Sequence, residues 1–181
     1  MTDFSAVVSY AKKYVGSNLG TGSSAGYNPN YPVFSNDCQN FVDQALKAGG
    51  WPNDFAGTTL DPTNYKEWYF RLDPFNGQPQ WSTTWDNTVW WMRYVYNNPD
   101  PPTHGFYQTS WSAAVPGDII QVDWDGTANG LKPSHSMIVT ATGSSVGDIK
   151  ITQHTTNRLN YSLATDMQNF PHAAWWLVQP Y

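Results

Sequence analysis

Apolar side chains at Phe4, Val7, Val8, Ala11, Tyr14 and Val15 recur at the i, i+3, i+4, i+7 spacing of one helical face. With Thr2 or Asp3 as cap and Gly16 as stop, they predict an N-terminal helix. Ser17 to Pro32 breaks the period. It is rich in Gly, Ser and Asn, and Asn28-Pro29-Asn30-Tyr31-Pro32 biases the chain toward extended backbone. Periodicity returns at Cys38, Phe41, Val42, Ala45 and Leu46 and stops at Gly49-Gly50, predicting a second helix with Cys38 in its first turn. From Trp51 to Pro116 the chain is loop-heavy, with one helical stripe at Trp85, Val89, Met92 and Tyr96 that ends before Pro99; this stretch reads as an insertion. The last third alternates. Asp118 to Trp124, Ser136 to Thr142, Asp148 to Thr155 and Ala173 to Val178 are β-branched, period-two runs separated by turns such as Thr142-Gly143-Ser144-Ser145. Helices first and antiparallel strands afterwards is an α+β order.

Length and composition narrow the function classes. A chain of 181 residues is expected to form a single domain over 1–181 and to bury a core without disulfide or metal staples. Charged residues make up 13% and aromatics 16%, which argues against disorder. Mean hydropathy of -0.53 and the lack of any long apolar run predict no membrane span. Nine Lys and Arg against a net charge of -5 are too few for a nucleic-acid footprint. Residues 1 to 15 lack the basic and apolar regions of a signal peptide. A surface rich in Asn, Thr, Ser, Trp and Tyr and poor in Lys and Glu nevertheless reads as secreted or cell-wall-associated. A monomer with no cofactor is expected.

The single cysteine excludes an internal disulfide framework and a multi-cysteine zinc site. At a helix N-terminus the dipole and unpaired amides favour thiolate, so Cys38 is a candidate nucleophile, and its own N–H is available to an oxyanion. The competing reading is a small buried residue packed on Phe41 and Val42. A nucleophilic thiol needs a base, and imidazole titrates near neutrality. Of four histidines, His135 opens one predicted strand and His154 closes the next, so a hairpin would bring them together, one as base and the other orienting it. His104 and His172 lie in Pro-flanked stretches. Asp123-Trp124-Asp125-Gly126-Thr127-Ala128-Asn129-Gly130 spaces oxygen ligands like a calcium loop but lacks the closing Glu, and reads as a turn with no metal. Trp81, Trp85, Trp90, Trp91, Tyr94 and Tyr96 suit stacking on sugars or lining a peptide groove, although core packing accounts for at least half of them.

The run Asn28-Pro29-Asn30-Tyr31-Pro32-Val33-Phe34-Ser35-Asn36-Asp37-Cys38-Gln39-Asn40-Phe41-Val42, followed by Gln44-Ala45-Leu46 and Ala48-Gly49-Gly50, resembles the putative amidase domain family of bacteria. Pro116-Gly117-Asp118-Ile119-Ile120-Gln121, His135-Ser136-Met137-Ile138-Val139-Thr140 and His154-Thr155-Thr156-Asn157-Arg158 with Ser162-Leu163 follow in the same order. That family is similar to papain-like hydrolases of the NlpC and CHAP groups. The resemblance implies a Cys-bearing helix packed on an antiparallel sheet that carries the His. It assigns the nucleophile to Cys38, the base to His135 and the third polar group to His154, with Asn157 as runner-up. Asp37 either tunes the site or caps the helix, and capping is preferred. The implied function is cysteine-dependent hydrolysis of peptide amide bonds in peptidoglycan. The 51–116 insertion is expected to wall the cleft, with Trp85, Trp90 and Trp91 contacting substrate. A non-catalytic cell-wall or carbohydrate binding module, using the rings alone, is the alternative.

Overall fold

The computed structural model describes residues 1–55, 66–97, 106–108, 110–126 and 132–180. Two of the predicted helices are α1 (Phe4–Tyr14) and α2 (Cys38–Ala48). Asp3 caps α1 by accepting the Ala6 amide at 3.0 Å, as its position before the apolar stripe requires. The start of α1 is tied to the end of α2 through Asp3 N–H to the Gly49 carbonyl at 2.9 Å and Trp51 Nε1–H to Thr2 Oγ1 at 2.9 Å. Gly49 permits that approach, because a Cβ there would fall 2.5 Å from Val7 Cγ2.

The C-terminal half supplies most of a six-stranded antiparallel sheet in the order β3-β8-β4-β5-β6-β7. Its strands are β3 (Phe106–Gln108), β4 (Ile119–Asp123), β5 (His135–Ala141), β6 (Lys150–Gln153), β7 (Arg158–Ser162) and β8 (Ala174–Gln179). Period-two alternation divides it between two cores. Ile119, Ile138 and Val178 pack with Val7, Ala11, Phe41, Val42, Ala45 and Leu46 of the helices. On the opposite face Ile120, Val122, Met137, Val139, Ile151 and Leu177 pack with Leu163 of α5 (Leu163–Asn169). The α+β reading therefore holds, with helices on both faces.

The 51–116 stretch contributes the hairpin β1 (Phe70–Leu72) and β2 (Pro79–Trp81), then α3 (Thr83–Asp86) and α4 (Thr88–Asn97). The stripe at 85–96 predicted one helix; Asn87 divides it. Its backbone is extended, and its Oδ1 accepts the amides of Val89 and Trp90, both at 3.1 Å, which opens α4 afresh. This region seals the polar residues of α2, whose side chains from Cys38 to Leu46 are all buried. Trp68 Nε1–H donates to Asp43 at 2.8 Å, Trp85 Nε1–H to Asn40 at 2.7 Å, and Gln39 Nε2–H to Asp43 at 2.8 Å. Buried polar groups left without such partners would each cost about 1–3 kcal/mol. Among the described residues no helix is long and apolar enough to cross a membrane.

Candidate active site

Cys38 is the first residue of α2 and is held there by its neighbours. Asp37 N–H donates to Thr155 Oγ1 at 3.0 Å, and Phe34 N–H donates to Asp37 Oδ1 at 2.9 Å. The thiol is 1% exposed and points its proton at Asn36 Oδ1, 3.6 Å away. Burial pushes it up to about 11, although amides of Ser136, Gln39 and Cys38 itself favour the thiolate. The amides at the helix start and at β5 thus act in the expected direction, but desolvation is larger and raises the thiol instead.

The start of α2 meets the start of β5. Gln39 Oε1 accepts from Ser136 Oγ at 2.6 Å and from Gln121 Nε2 at 3.0 Å, fixing the helix to both central strands. His135, one residue before Ser136, is buried and lies 5.7 Å, centroid to centroid, from the Trp124 ring. Burial pulls its pKa down to about 4; the Gln153 carboxamide opposes that shift and the Arg158 charge adds to it. Thiol and imidazole are therefore both neutral at rest. No hydrogen bond joins them, and Nε2 of His135 is buried without a partner. The ring opens on a pocket of about 130 Å³ bounded by Trp124, Gln153, Thr155, Thr156, Arg158, Asp166 and Phe170.

The structure separates His154 from the role assigned to it. As expected, β5 and β6 form an antiparallel pair, and Ile138 faces Thr152. In that register His135 shares a face with Met137, Val139, Ile151 and Gln153, whereas His154 belongs to the other face. There it stacks between Tyr27, at 3.6 Å, and Phe41, at 3.8 Å between centroids. Its Nδ1 meets Asp37 Oδ2 at 2.6 Å and its Nε2 meets the Tyr14 carbonyl at 2.8 Å. A carbonyl only accepts, so Nε2–H donates to it, while Nδ1 is engaged with the Asp37 carboxyl group. Neither nitrogen is left for His135. Asn157 is equally committed, bonding Tyr27 Oη at 2.5 Å and the Ser23 carbonyl at 2.6 Å. Asp37 makes no side-chain cap bond, because its carboxylate instead holds His154, Phe34 N and Asn40.

The substrate roles of Trp85 and Trp91 are overturned, since both are 0% exposed and belong to the helix-side core. Trp90 is half-buried, with the Arg93 guanidinium 4.7 Å from its ring centroid. Among the described residues none of 51–116 bounds the pocket by His135; its described walls come from the C-terminal third. Gln153, on the same sheet face as His135, is the side chain placed to support its imidazole instead. Strand parity marks it in the sequence once the β5–β6 register is known, whereas proximity to a second histidine misleads. His104 and residues 127–130 of the acidic turn lie outside the described residues. Among the described residues no group of three or more His, Cys, Asp or Glu could hold a metal ion.

An α+β domain with a lone thiol at a helix N-terminus, set against the strand that opens with histidine, defines the class. The chain belongs to the family described as "Putative amidase domain", whose model matches residues 2–177 and whose description points to amide hydrolysis. A curated relative, "Uncharacterized protein YhbB" of Bacillus subtilis (strain 168), is 30% identical over 114 residues, 63% of this chain and 32% of the relative. The chain thus spans about a third of that protein's length. No solved structure matches it.

Proposed function

We propose that this domain is a cysteine-dependent hydrolase of peptide amide bonds in bacterial peptidoglycan, secreted or cell-wall-associated, monomeric, and similar in architecture to the papain-like NlpC and CHAP enzymes. One observation carries the reading: the only cysteine of the chain begins α2, with its sulfur among the amides of Ser136, Gln39 and Cys38 and one residue along the strand from His135. Amide N–H groups converging on a nucleophile also suit the oxyanion that its attack creates.

The reaction starts from the neutral pair. His135 takes the Cys38 proton as sulfur bonds to the carbonyl carbon, and the carbonyl π electrons move to oxygen, to which the Cys38 N–H donates a hydrogen bond. The imidazolium so formed is favoured by Gln153. It returns the proton to the leaving nitrogen as the C–N bond breaks, leaving a thioester and a free amine. Water, deprotonated by His135, then cleaves the thioester to carboxylate and thiol. Attack requires the ring to approach the sulfur directly, which the resting hydrogen bonds do not impose.

The binding-module reading loses Trp85, Trp91 and Tyr94, which are buried, from its stacking rings and keeps Trp81, Trp90 and Tyr96. Digestion of purified peptidoglycan with product analysis by mass spectrometry tests the proposal. New amine and carboxyl ends at a peptide bond are expected; products cut only in the glycan chain, or none, would refute it.

A further inference from the structure

The pocket beside His135 carries an imbalance of hydrogen-bonding groups, and one of them, Asp166 Oδ2, has no part in the hydrolytic steps. Three side-chain atoms that bound it, His135 Nε2, Gln153 Oε1 and Asp166 Oδ2, are buried without hydrogen-bond partners. Their residues are 4%, 4% and 1% exposed. The donors nearby are already committed. Gln153 Nε2–H donates to the Thr156 carbonyl at 3.1 Å, and Arg158 Nη1–H donates to Asp166 Oδ1 at 2.6 Å. The Arg158 guanidinium also lies 4.1 Å from the centroid of the Tyr161 ring. An amide oxygen and a carboxylate oxygen can only accept, so whatever fills this space must bring N–H or O–H groups. Trp124 and Phe170, with ring centroids 4.6 Å apart, add aromatic surface, which favours a cation over a neutral donor.

We propose that this pocket is a subsite for a primary ammonium group of the ligand, held by Asp166 Oδ2 against Trp124 and Phe170. Nε2 of His135 remains for the scissile nitrogen, so the ammonium lies on the leaving-group side of the bond. That last placement rests on the hydrolase reading; the preference for an ammonium does not. The Arg158 charge is offset by Asp166 Oδ1, while Oδ2 still offers a charge-assisted bond.

The test compares glycinamide with N-acetylglycinamide at pH 7, by NMR titration of the Trp indole N–H signals in the Cys38→Ala protein, where no turnover intervenes. Glycinamide is expected to bind roughly tenfold more tightly, the size of one charge-assisted hydrogen bond. Asp166→Asn, added to that protein, is expected to erase the difference while leaving the acetylated compound unchanged. Equal affinities, no saturable binding of glycinamide, or a preference that survives Asp166→Asn would overturn the proposal. If Asp166→Asn does not fold, the comparison on the Cys38→Ala protein decides alone. Because binding is read without catalysis, a negative result leaves the hydrolase reading standing, and a failure of that reading leaves this one testable.

Discussion

At the scale of single residues the site is governed by desolvation. Both proposed reacting groups are buried, and burial shifts them in opposite directions: the Cys38 thiol up to about 11 and the His135 imidazole down to about 4. Thiolate is the species that iodoacetamide attacks, so alkylation of Cys38 in the folded protein is expected to be slow at neutral pH and to rise toward pH 11. A rate profile with an apparent pKa below that of a free thiol, about 8.5, would contradict this environment. His135 has a second consequence. Between the unfolded value near 6.5 and the folded value of about 4, the unfolded chain binds the extra proton, so stability rises with pH through that window and is lost as pH falls through it. Urea denaturation from pH 7 to 4 is expected to show the loss, with a smaller dependence in His135→Gln; an identical dependence in that variant would place its origin elsewhere.

Elements meet through polar side chains more than the sequence pattern suggests. The helical stripes of α1 and α2 and the alternation of β4, β5, β6 and β8 were legible because each buries an apolar face. The short strands β1 and β2, and β7 with α5, carry little periodicity and take their form from neighbours. The site was half legible. Cys38 and His135 follow from position at element starts, but the partner of His135 depends on strand parity, and the tryptophans on which polar groups of α2 need indole donors. His154 illustrates the difference. It joins the end of β6 to α1 and α2 through Tyr14, Asp37 and Phe41. Removing it leaves Asp37 Oδ2 and the Tyr14 carbonyl without their hydrogen-bond partner and opens a cavity between Tyr27 and Phe41, so His154→Ala is expected to lower unfolding free energy by about 3–5 kcal/mol. Equilibrium denaturation checks this, and a change within about 0.5 kcal/mol would return His154 to a purely chemical role. Trp85→Ala, which opens a cavity among Tyr31, Trp68 and Phe70 and frees Asn40 Oδ1, is expected to cost about 3–5 kcal/mol. A variant of wild-type stability with weakened substrate binding would restore its role in the cleft.

For the molecule as a whole, a two-faced sheet sets the division of labour. The helix-side core, sealed by the tryptophans of the 51–116 region, fixes the height of α2 and so the place of Cys38. The opposite face carries His135, Gln153 and the pocket, with α5 closing it. The proposed nucleophile and base thus belong to opposite faces, linked through Ser136, which follows His135 in β5 and whose amide lies beside the Cys38 thiol. Sequence motifs placed the two residues at element starts but not the faces to which they belong. The central claim is that Cys38 performs the bond cleavage with His135. Its most direct measurement is release of peptide fragments from purified peptidoglycan by wild type, Cys38→Ala and His135→Ala, each first shown to be folded by circular dichroism. Fragment release by wild type and none above background by either variant is the predicted result. Release by folded Cys38→Ala at the wild-type rate would contradict the account.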